Sequence, residues 1–218
     1  VVVADNPRLL KALLSDSEIT SPVWQPTAYW RNYTGRITSE INRVGLGAFR
    51  SNHQICKGYA LGGIPEPIPP VSPWKKTVWN AILRAPVLNR VFEVFRHHID
   101  VEHHNLRLAQ VRYAGLILDK LADQSPELRI PVGLGHGHPD DVFDWRGHTV
   151  TASWVEQLCR IADFYAAVPA NRVETILEIG PGIGQSTLAH LALNPKLKAI
   201  VNIDIAPILY VSTQFLKS

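Results

Sequence analysis

An acidic residue and three glycines occupy every second position of the run Glu178-Ile-Gly-Pro-Gly-Ile-Gly184. The apolar run over residues 174–179 predicts a buried parallel strand, so the glycines follow its carboxyl end. Ligands bind at that edge of open α/β sheets, and glycine lets a ligand come close to the backbone. Asp204 ends a second apolar run, and a carboxylate there can accept hydrogen bonds from both hydroxyls of a ribose. The pattern therefore predicts a site for a cofactor that contains a nucleoside.

Two other interpretations of the glycines compete with a site for S-adenosylmethionine. A dinucleotide site has the fingerprint Gly-x-Gly-x-x-Gly, but Gln185 stands where its third glycine would be. Glu178 is also poorly placed beside a diphosphate, because like charges repel, whereas it suits the ammonium and sulfonium of S-adenosylmethionine. The glycines could instead only shape a tight strand-to-helix turn. The agreement of two acidic strand ends, a strand and three spaced glycines favours S-adenosylmethionine.

The elements around these residues follow the order strand, helix, strand, helix. The second strand is predicted over residues 198–204, a helix over residues 185–193 joins the two strands, and Pro207 opens a further helix. A capping box from Ser153 to Glu156 predicts the start of an earlier helix that reaches about Val168. The predicted fold class is α/β, with residues 151–218 forming the start of a Rossmann-like cofactor-binding domain.

Residues 1–150 are predicted to form a mainly helical N-terminal region with loops rich in proline and glycine. Helices are expected from Pro7, over residues 37–44, from Pro73 to Pro86, and over residues 91–122. Residues 57–73 and 123–150 are predicted to be loops, because prolines and glycines recur in them.

Two polar clusters could take part in chemistry. The glycine-rich loop carries His136, His138, Asp140 and Asp141, which could contact a methyl acceptor or close over it, but a solvated polar loop is favoured. No catalytic residue is assigned. The second cluster is favoured as a polar helix face with local ion pairs rather than a metal site, so no metal is predicted. Its members are Glu93, His97, His98, Asp100, Glu102, His103 and His104. The six tryptophans are expected mainly to anchor helix packing.

The chain resembles the sugar O-methyltransferases, within the class I S-adenosylmethionine-dependent methyltransferases. The resemblance to the superfamily rests on the glycine run and Asp204, and the narrower one on Ile203-Asp-Ile-Ala-Pro-Ile-Leu209 and Thr213-Gln-Phe-Leu216. The stretch Gly47-Ala-Phe-Arg50 and the glycine-rich loop support it. The fold implied is a Rossmann-like methyltransferase sheet, of which only the first strand-helix-strand-helix is present, preceded by a helical region.

The resemblance also implies roles for the cofactor-binding residues. Gly180, Gly182 and Gly184 would line the methionine and ribose of S-adenosylmethionine, Glu178 would lie near the methionine ammonium, and Asp204 would hold the ribose hydroxyls. The implied activity is methyl transfer to a hydroxyl of a sugar or of a small molecule that contains a sugar. Such a hydroxyl is a poor nucleophile, so a general base or a metal is expected to assist.

The alternatives to an active methyltransferase are a truncated, non-catalytic fragment or partner-binding module and, second, a dinucleotide-dependent oxidoreductase. The fragment is considered because the family's remaining strands, which supply the adenine pocket and much of the acceptor site, would follow Ser218. A sheet of two strands would expose an edge and an apolar face, which makes a homo-oligomer possible.

Composition excludes several classes of partner. The formal net charge of the 218 residues is +3 and the basic residues are scattered, so no nucleic-acid partner is predicted. No apolar stretch approaches the roughly 20 residues needed to cross a bilayer, so no membrane partner is predicted. Cys56 and Cys159 are far apart and fit reduced thiols, which points to a cytoplasmic protein.

Overall fold

The computed structural model describes residues 3–18, 26–52, 55–56 and 110–218. Helices α1 and α2 cover Pro7–Glu18 and Ala28–Val44, and residues 110–124 form helix α3. Strands β1 and β2 cover Val142–Trp145 and His148–Thr151, and helix α4 covers Ala152–Ala167. A short 3-10 helix, Ala170–Arg172, precedes strand β3, Thr175–Ile179. Helix α5 covers Gln185–Leu193, strand β4 covers Ala199–Ile203 and helix α6 covers Ala206–Lys217.

The predicted strand-helix-strand-helix order is confirmed, and the structure is mixed α/β. Strands β3 and β4 pair in parallel, with a register that runs from Thr175 opposite Ala199 to Ile179 opposite Ile203. Helix α5 makes the crossover between them, as a parallel connection requires. Helix α6 has Pro207 in its first turn, where a missing N–H removes no helical hydrogen bond.

The prediction that the first strand is buried is wrong. Its residues alternate between exposed and half-buried, and Leu177 and Ile179 are 63% and 79% exposed. Strand β4 alternates in the same way, with Val201 and Ile203 about half exposed. Side chains of successive strand residues point to opposite faces, so one face of this two-stranded sheet is packed and the other is open.

The predicted loop over residues 123–150 is also wrong at both of its ends. Helix α3 extends to residue 124, and an antiparallel hairpin of strands β1 and β2 occupies its last part. The two residues between the strands, Arg146 and Gly147, have φ of 51° and 81°. Positive φ at both central residues of a two-residue loop is what a type I′ hairpin turn requires, and it matches the twist of the strands. The β-branched and aromatic residues on either side of the turn carried this signal.

The capping box at Ser153 is not formed. Helix α4 begins at Ala152, one residue before the predicted cap, and no side chain of its N-cap residue, Thr151, bonds to its first turn. Asp141 supplies the cap from outside the helix: its carboxylate Oδ2 accepts the Ser153 N–H at 2.6 Å, and its carbonyl accepts the Ala152 N–H at 3.0 Å. Asp141 is therefore a structural residue, and a negative charge there also favours the positive end of the helix.

The N-terminal helices are partly as predicted. Helix α1 begins at Pro7, and helix α2 ends at Val44 before Gly45, whose N–H bonds to the Ile41 carbonyl. Helix α2 begins at Ala28 rather than near residue 37, because nothing in residues 28–36 breaks a helix apart from a tolerated Gly35. The predicted helix from Pro73 and the predicted loop at 57–73 lie outside the described residues, as does most of the predicted helix over 91–122.

The described residues of the ranges 1–63 and 114–218 form one compact unit with two apolar clusters. The first joins helices α1, α2 and α6 and includes Ile183 of the glycine run. The second joins helices α3, α4 and α5 and centres on Trp154 and Leu158. The glycine run thus contributes to the first cluster and helix α5 to the second, and Leu188 of that helix packs against both, which fixes the start of the helix. The proposed boundary at residue 150 stays a prediction.

None of the helices in the described part of the chain is long and apolar enough to span a membrane.

Replacing Asp141 by alanine is expected to lower the free energy of unfolding by about 2 kcal/mol, the upper end of the range for a lost helix cap. The upper end applies because Arg50, which is buried nearby, would also lose a favourable charge. Urea denaturation measures the change. Asp123→Ala is the control, since Asp123 is exposed on helix α3, and its effect should stay within about 0.5 kcal/mol. Equal effects of the two substitutions would contradict the capping role.

Candidate cofactor-binding site

The glycine run forms a left-handed turn between strand β3 and helix α5. Gly180, Gly182 and Gly184 have φ of 75°, 60° and 93°, a region that side-chain-bearing residues rarely adopt. The Gly180 N–H donates to the Ile203 carbonyl at 2.8 Å, which joins the turn to the end of strand β4. Gly184 is the N-cap of helix α5, so the N-terminus of that helix opens at the same sheet edge.

The two outer glycines have different surroundings. A Cβ on Gly180 would meet no heavy atom within 4 Å, so the space beside this backbone is open. A Cβ on Gly184 would lie 3.1–3.3 Å from the side chain of Leu216 on helix α6. Gly180 therefore leaves room for a ligand, whereas the missing side chain of Gly184 is explained by packing between helices.

Asp204 lies directly beside the glycine turn. Its Oδ2 accepts the Gly182 N–H at 3.2 Å, and its Oδ1 accepts the Ile205 N–H at 2.7 Å. Burial raises the pKa of this carboxyl group, and the two backbone N–H groups partly oppose that rise. Each carboxylate oxygen has a second lone pair. Asp204 is thus fixed in orientation and can accept further hydrogen bonds.

Glu178 is half-buried on strand β3, opposite Asn202 in the register. Its Oε2 atom is buried and has no hydrogen-bond partner among the described residues. Buried acceptors without donors are unusual in native structures, and they often mark a site where a donor is supplied by a ligand or by water. The surroundings of Glu178 therefore fit the ammonium group that the sequence predicts beside it.

Gln185 anchors the start of helix α5 to helix α4. It is 5% exposed, and its Nε2 donates to the Ser153 hydroxyl at 2.8 Å. The same hydroxyl oxygen accepts a hydrogen bond from Nη2 of Arg50 at 3.3 Å, and Thr151 Oγ1 accepts another at 3.1 Å. The position where a dinucleotide fingerprint has its third glycine is thus filled by a buried, hydrogen-bonded side chain.

Arg50 is a supporting residue that the sequence did not reveal. It is 2% exposed, it donates to the Leu134 carbonyl, and its guanidinium lies over the ring of Phe215. Burial lowers its pKa, while the charge of Asp141 opposes that change. Arginine is rarely buried, so sequence reasoning places it on the surface unless a partner is known. Its position in Gly47-Ala-Phe-Arg50 was the only signal.

The four polar candidates in the glycine-rich loop do not come together as one catalytic group. Asp141 is committed to capping helix α4, and His138 is exposed with φ of 52°. His136 Nδ1 lies 2.9 Å from the Ser218 hydroxyl, at the end of helix α6, and burial lowers its pKa. Asp140 is exposed on the same loop. His136 thus contacts the C-terminal end of helix α6, whereas Asp204 precedes the N-terminal end of that helix.

The tryptophans differ from one another in burial. Trp154 is a fully buried anchor of the second apolar cluster, as predicted. Trp145 donates its indole N–H to Asp119, whereas Trp30 is 44% exposed on helix α2. Three further tryptophans lie outside the described residues: Trp24, Trp74 and Trp79.

The acidic and histidine cluster over residues 93–104 also lies outside the described residues. Within the described residues, no group of three or more histidine, cysteine, aspartate or glutamate side chains could hold a metal ion.

The arrangement can hold a ligand with ribose hydroxyls and a cationic end. Asp204 follows one strand and lies beside the glycine turn. Glu178, on the neighbouring strand, has a buried carboxylate oxygen without a partner among the described residues. The space beside the Gly180 backbone is open. No protein-family model, curated protein or solved structure matches the chain. The functional assignment therefore rests on the residues and on their geometry.

Gly184→Ala is expected to destabilise the protein more than Gly180→Ala does. Both substitutions force alanine into a left-handed conformation at roughly 1–2 kcal/mol. Only Gly184→Ala also pushes against Leu216, so the two variants are matched in strain and differ in packing. Thermal unfolding of both variants measures the difference. An equal loss of stability would show that Leu216 adjusts without effect.

Asp204→Asn is expected to gain stability relative to the wild type as pH rises from 4 to 7. The pKa of Asp204 is raised above its ordinary value of 3.8, so the folded protein holds this proton more tightly than the unfolded chain. Ionisation therefore disfavours folding increasingly as pH rises through that window, and asparagine has no such ionisation. Urea denaturation at both pH values tests it, with Asp123→Asn as control. A relative loss of stability would mean that the backbone N–H groups dominate.

Proposed function

We propose that this chain carries the S-adenosylmethionine half-site of an O-methyltransferase. The observation that supports it most is the hydrogen bond from the Gly182 N–H to the Asp204 carboxylate. It brings the acidic end of one parallel strand against the glycine turn that follows its neighbour. A ribose in the open space beside Gly180 would then have a fixed carboxylate within its reach.

Different residues of the chain would contact different parts of the ligand. Asp204 accepts hydrogen bonds from the ribose hydroxyls, and the backbone at Gly180 and Gly182 allows the methionine part to approach. Glu178 attracts the methionine ammonium through its carboxylate, which is half-buried on strand β3. These charges suit a cationic ligand and oppose a diphosphate.

When bound, S-adenosylmethionine supplies a methyl group that its sulfonium already activates. The protein then has to hold the acceptor oxygen in line with that methyl group, and orientation of this kind can lower a barrier by several kcal/mol. The proposed acceptor is a sugar hydroxyl or a small molecule that contains a sugar. The support is the resemblance in Ile203–Leu209, the segment that joins strand β4 to helix α6 and includes Asp204.

A second candidate function is a partner-binding module without catalysis, in which the protein also forms homo-oligomers. The open face of the two-stranded sheet favours it, because four large apolar side chains on that face are about half exposed or more. They are Leu177, Ile179, Val201 and Ile203. A dinucleotide-dependent oxidoreductase is the third candidate, and the buried Gln185 argues against it.

We propose that the protein acts in the cytoplasm and that its substrate is a small molecule.

Calorimetry with S-adenosylhomocysteine tests the proposed function directly. The wild type is expected to bind it, and Asp204→Asn is expected to weaken binding by about 10- to 100-fold. Hydrogen bonds to a charged group are worth roughly 1.5–3 kcal/mol, and about 1.4 kcal/mol corresponds to a tenfold change.

The matched control is Glu174→Gln. Glu174 precedes strand β3 at the opposite edge of the same sheet, where it forms an exposed ion pair with Lys198 at 2.8 Å. Exposed pairs contribute little, and this edge is not the ligand edge, so binding should stay unchanged. Absence of binding to the wild type, or equal binding by Asp204→Asn, would reject the proposed site. Binding of NAD by the wild type would favour the oxidoreductase.

A further inference from the structure

Two buried acceptor atoms lie on the same face of the sheet without a donor. They are Oε2 of Glu178 and Oδ1 of Asn202, and neither has a hydrogen-bond partner among the described residues. Glu178 and Asn202 are partners in the parallel register of strands β3 and β4. Registered partners on neighbouring strands lie roughly 5 Å apart at the backbone and project to the same face. The side chains of Glu178 and Asn202 are therefore neighbours on that face.

A half-turn of the Asn202 amide about its last side-chain bond would exchange the positions of Oδ1 and Nδ2. Its Nδ2 now faces the Thr187 hydroxyl oxygen of helix α5 at 3.0 Å. Oδ1 would then face the Thr187 hydroxyl, which can donate as well as accept, and Nδ2 would take the place of Oδ1 on the face that Asn202 shares with Glu178. The contact with Thr187 would be kept, and Nδ2 would be a donor available to Glu178. A buried polar network is stable when all its members are satisfied, which favours the turned amide.

We propose that Asn202 is a positioning residue that holds the Glu178 carboxylate for the ammonium of the ligand. Thr187 orients the amide of Asn202, and the amide donates to Oε2 of Glu178. Because Oε2 is buried, the hydrogen bond from Asn202 fixes the carboxylate on its buried side and leaves the other oxygen, Oε1, for the ligand. This inference rests on the proposed function, since it gives Glu178 its task.

The orientation of the amide can be tested without any ligand. In the full chain labelled with ¹⁵N-asparagine, the Asn202 side-chain resonances are identified by their loss in Asn202→Asp. Glu178→Gln is expected to shift the amide protons of Asn202 more than Thr187→Val does, because a carboxylate acceptor is replaced by a neutral amide. The reverse order would show that Nδ2 donates to Thr187 and would overturn the proposal.

The positioning role is tested by comparing two ligands, one with and one without the amino-acid part. S-adenosylhomocysteine carries that part with its ammonium group, whereas 5′-methylthioadenosine has a methylthio group on the nucleoside instead. Asn202→Leu is expected to weaken binding of the first by about tenfold and of the second by less than about twofold. Ile200→Val is the matched control, because Ile200 is the next residue along strand β4 on the same face, two positions away.

The possible outcomes separate this inference from the proposed function. Equal weakening of both ligands by Asn202→Leu would indicate general damage to the site, and unchanged binding of both would show that Asn202 has no role. Either result overturns the positioning role while the proposed function stands. If the wild type binds neither ligand, the proposed function fails, and the ligand-directed role of Asn202 fails with it. Thermal unfolding of Asn202→Leu checks that the variant is folded.

Discussion

The contact between the Asp204 carboxylate and the Gly182 N–H is the constraint on which the site depends. It needs strands β3 and β4 in parallel and in one register, a left-handed turn after β3, and an acidic residue directly after β4. Parallel strands require a crossover, so helix α5 has to pack on the sheet and begin at the turn. The candidate site is therefore a consequence of the topology, and its polar groups come from two acidic residues beside the glycines that separate helix α5 from strand β3.

The N-terminal region supports this edge from outside the sheet. Helix α6 begins two residues after Asp204, and Tyr210 on that helix donates a hydrogen bond to Asp5 and accepts the Asn6 N–H at 2.7 Å. Burial and the bond to Asp5 raise the pKa of Tyr210 to about 12, so its hydroxyl stays a donor. Gln214 donates to the Ala4 carbonyl at 2.7 Å. Segments more than 200 residues apart in sequence thus hold α6, and with it the loop that carries Asp204, in place.

Much of the fold could be predicted from the sequence where local signals were strong. Pro7, Pro207 and Gly45 mark helix ends, and the glycine run after an apolar stretch predicts the strand-turn-helix unit. The errors arose where distant residues decide the outcome. Asp141 caps a helix at a residue twelve positions away, which no local pattern reveals. Strand β3 is apolar yet open on one face, and this was missed because an apolar run in a sequence does not show how many layers cover the strand. The positions of Glu178 and Asp204 were predictable, whereas the network of Arg50, Ser153 and Gln185 was not, because it joins residues over a hundred positions apart.

The open sheet face and the candidate site follow from the same alternation of side chains along strands β3 and β4. Residues 176, 178, 200 and 202 face the helices, which places Glu178 and Asn202 where helix α5 can order them through Thr187. The intervening residues are apolar and exposed, so they face away from those helices. A shift of one residue in strand β3 would exchange its two sets of side chains and turn Glu178 away from helix α5. Because both strands must keep this register for Asp204 to reach Gly182, the candidate site and the apolar face are fixed together.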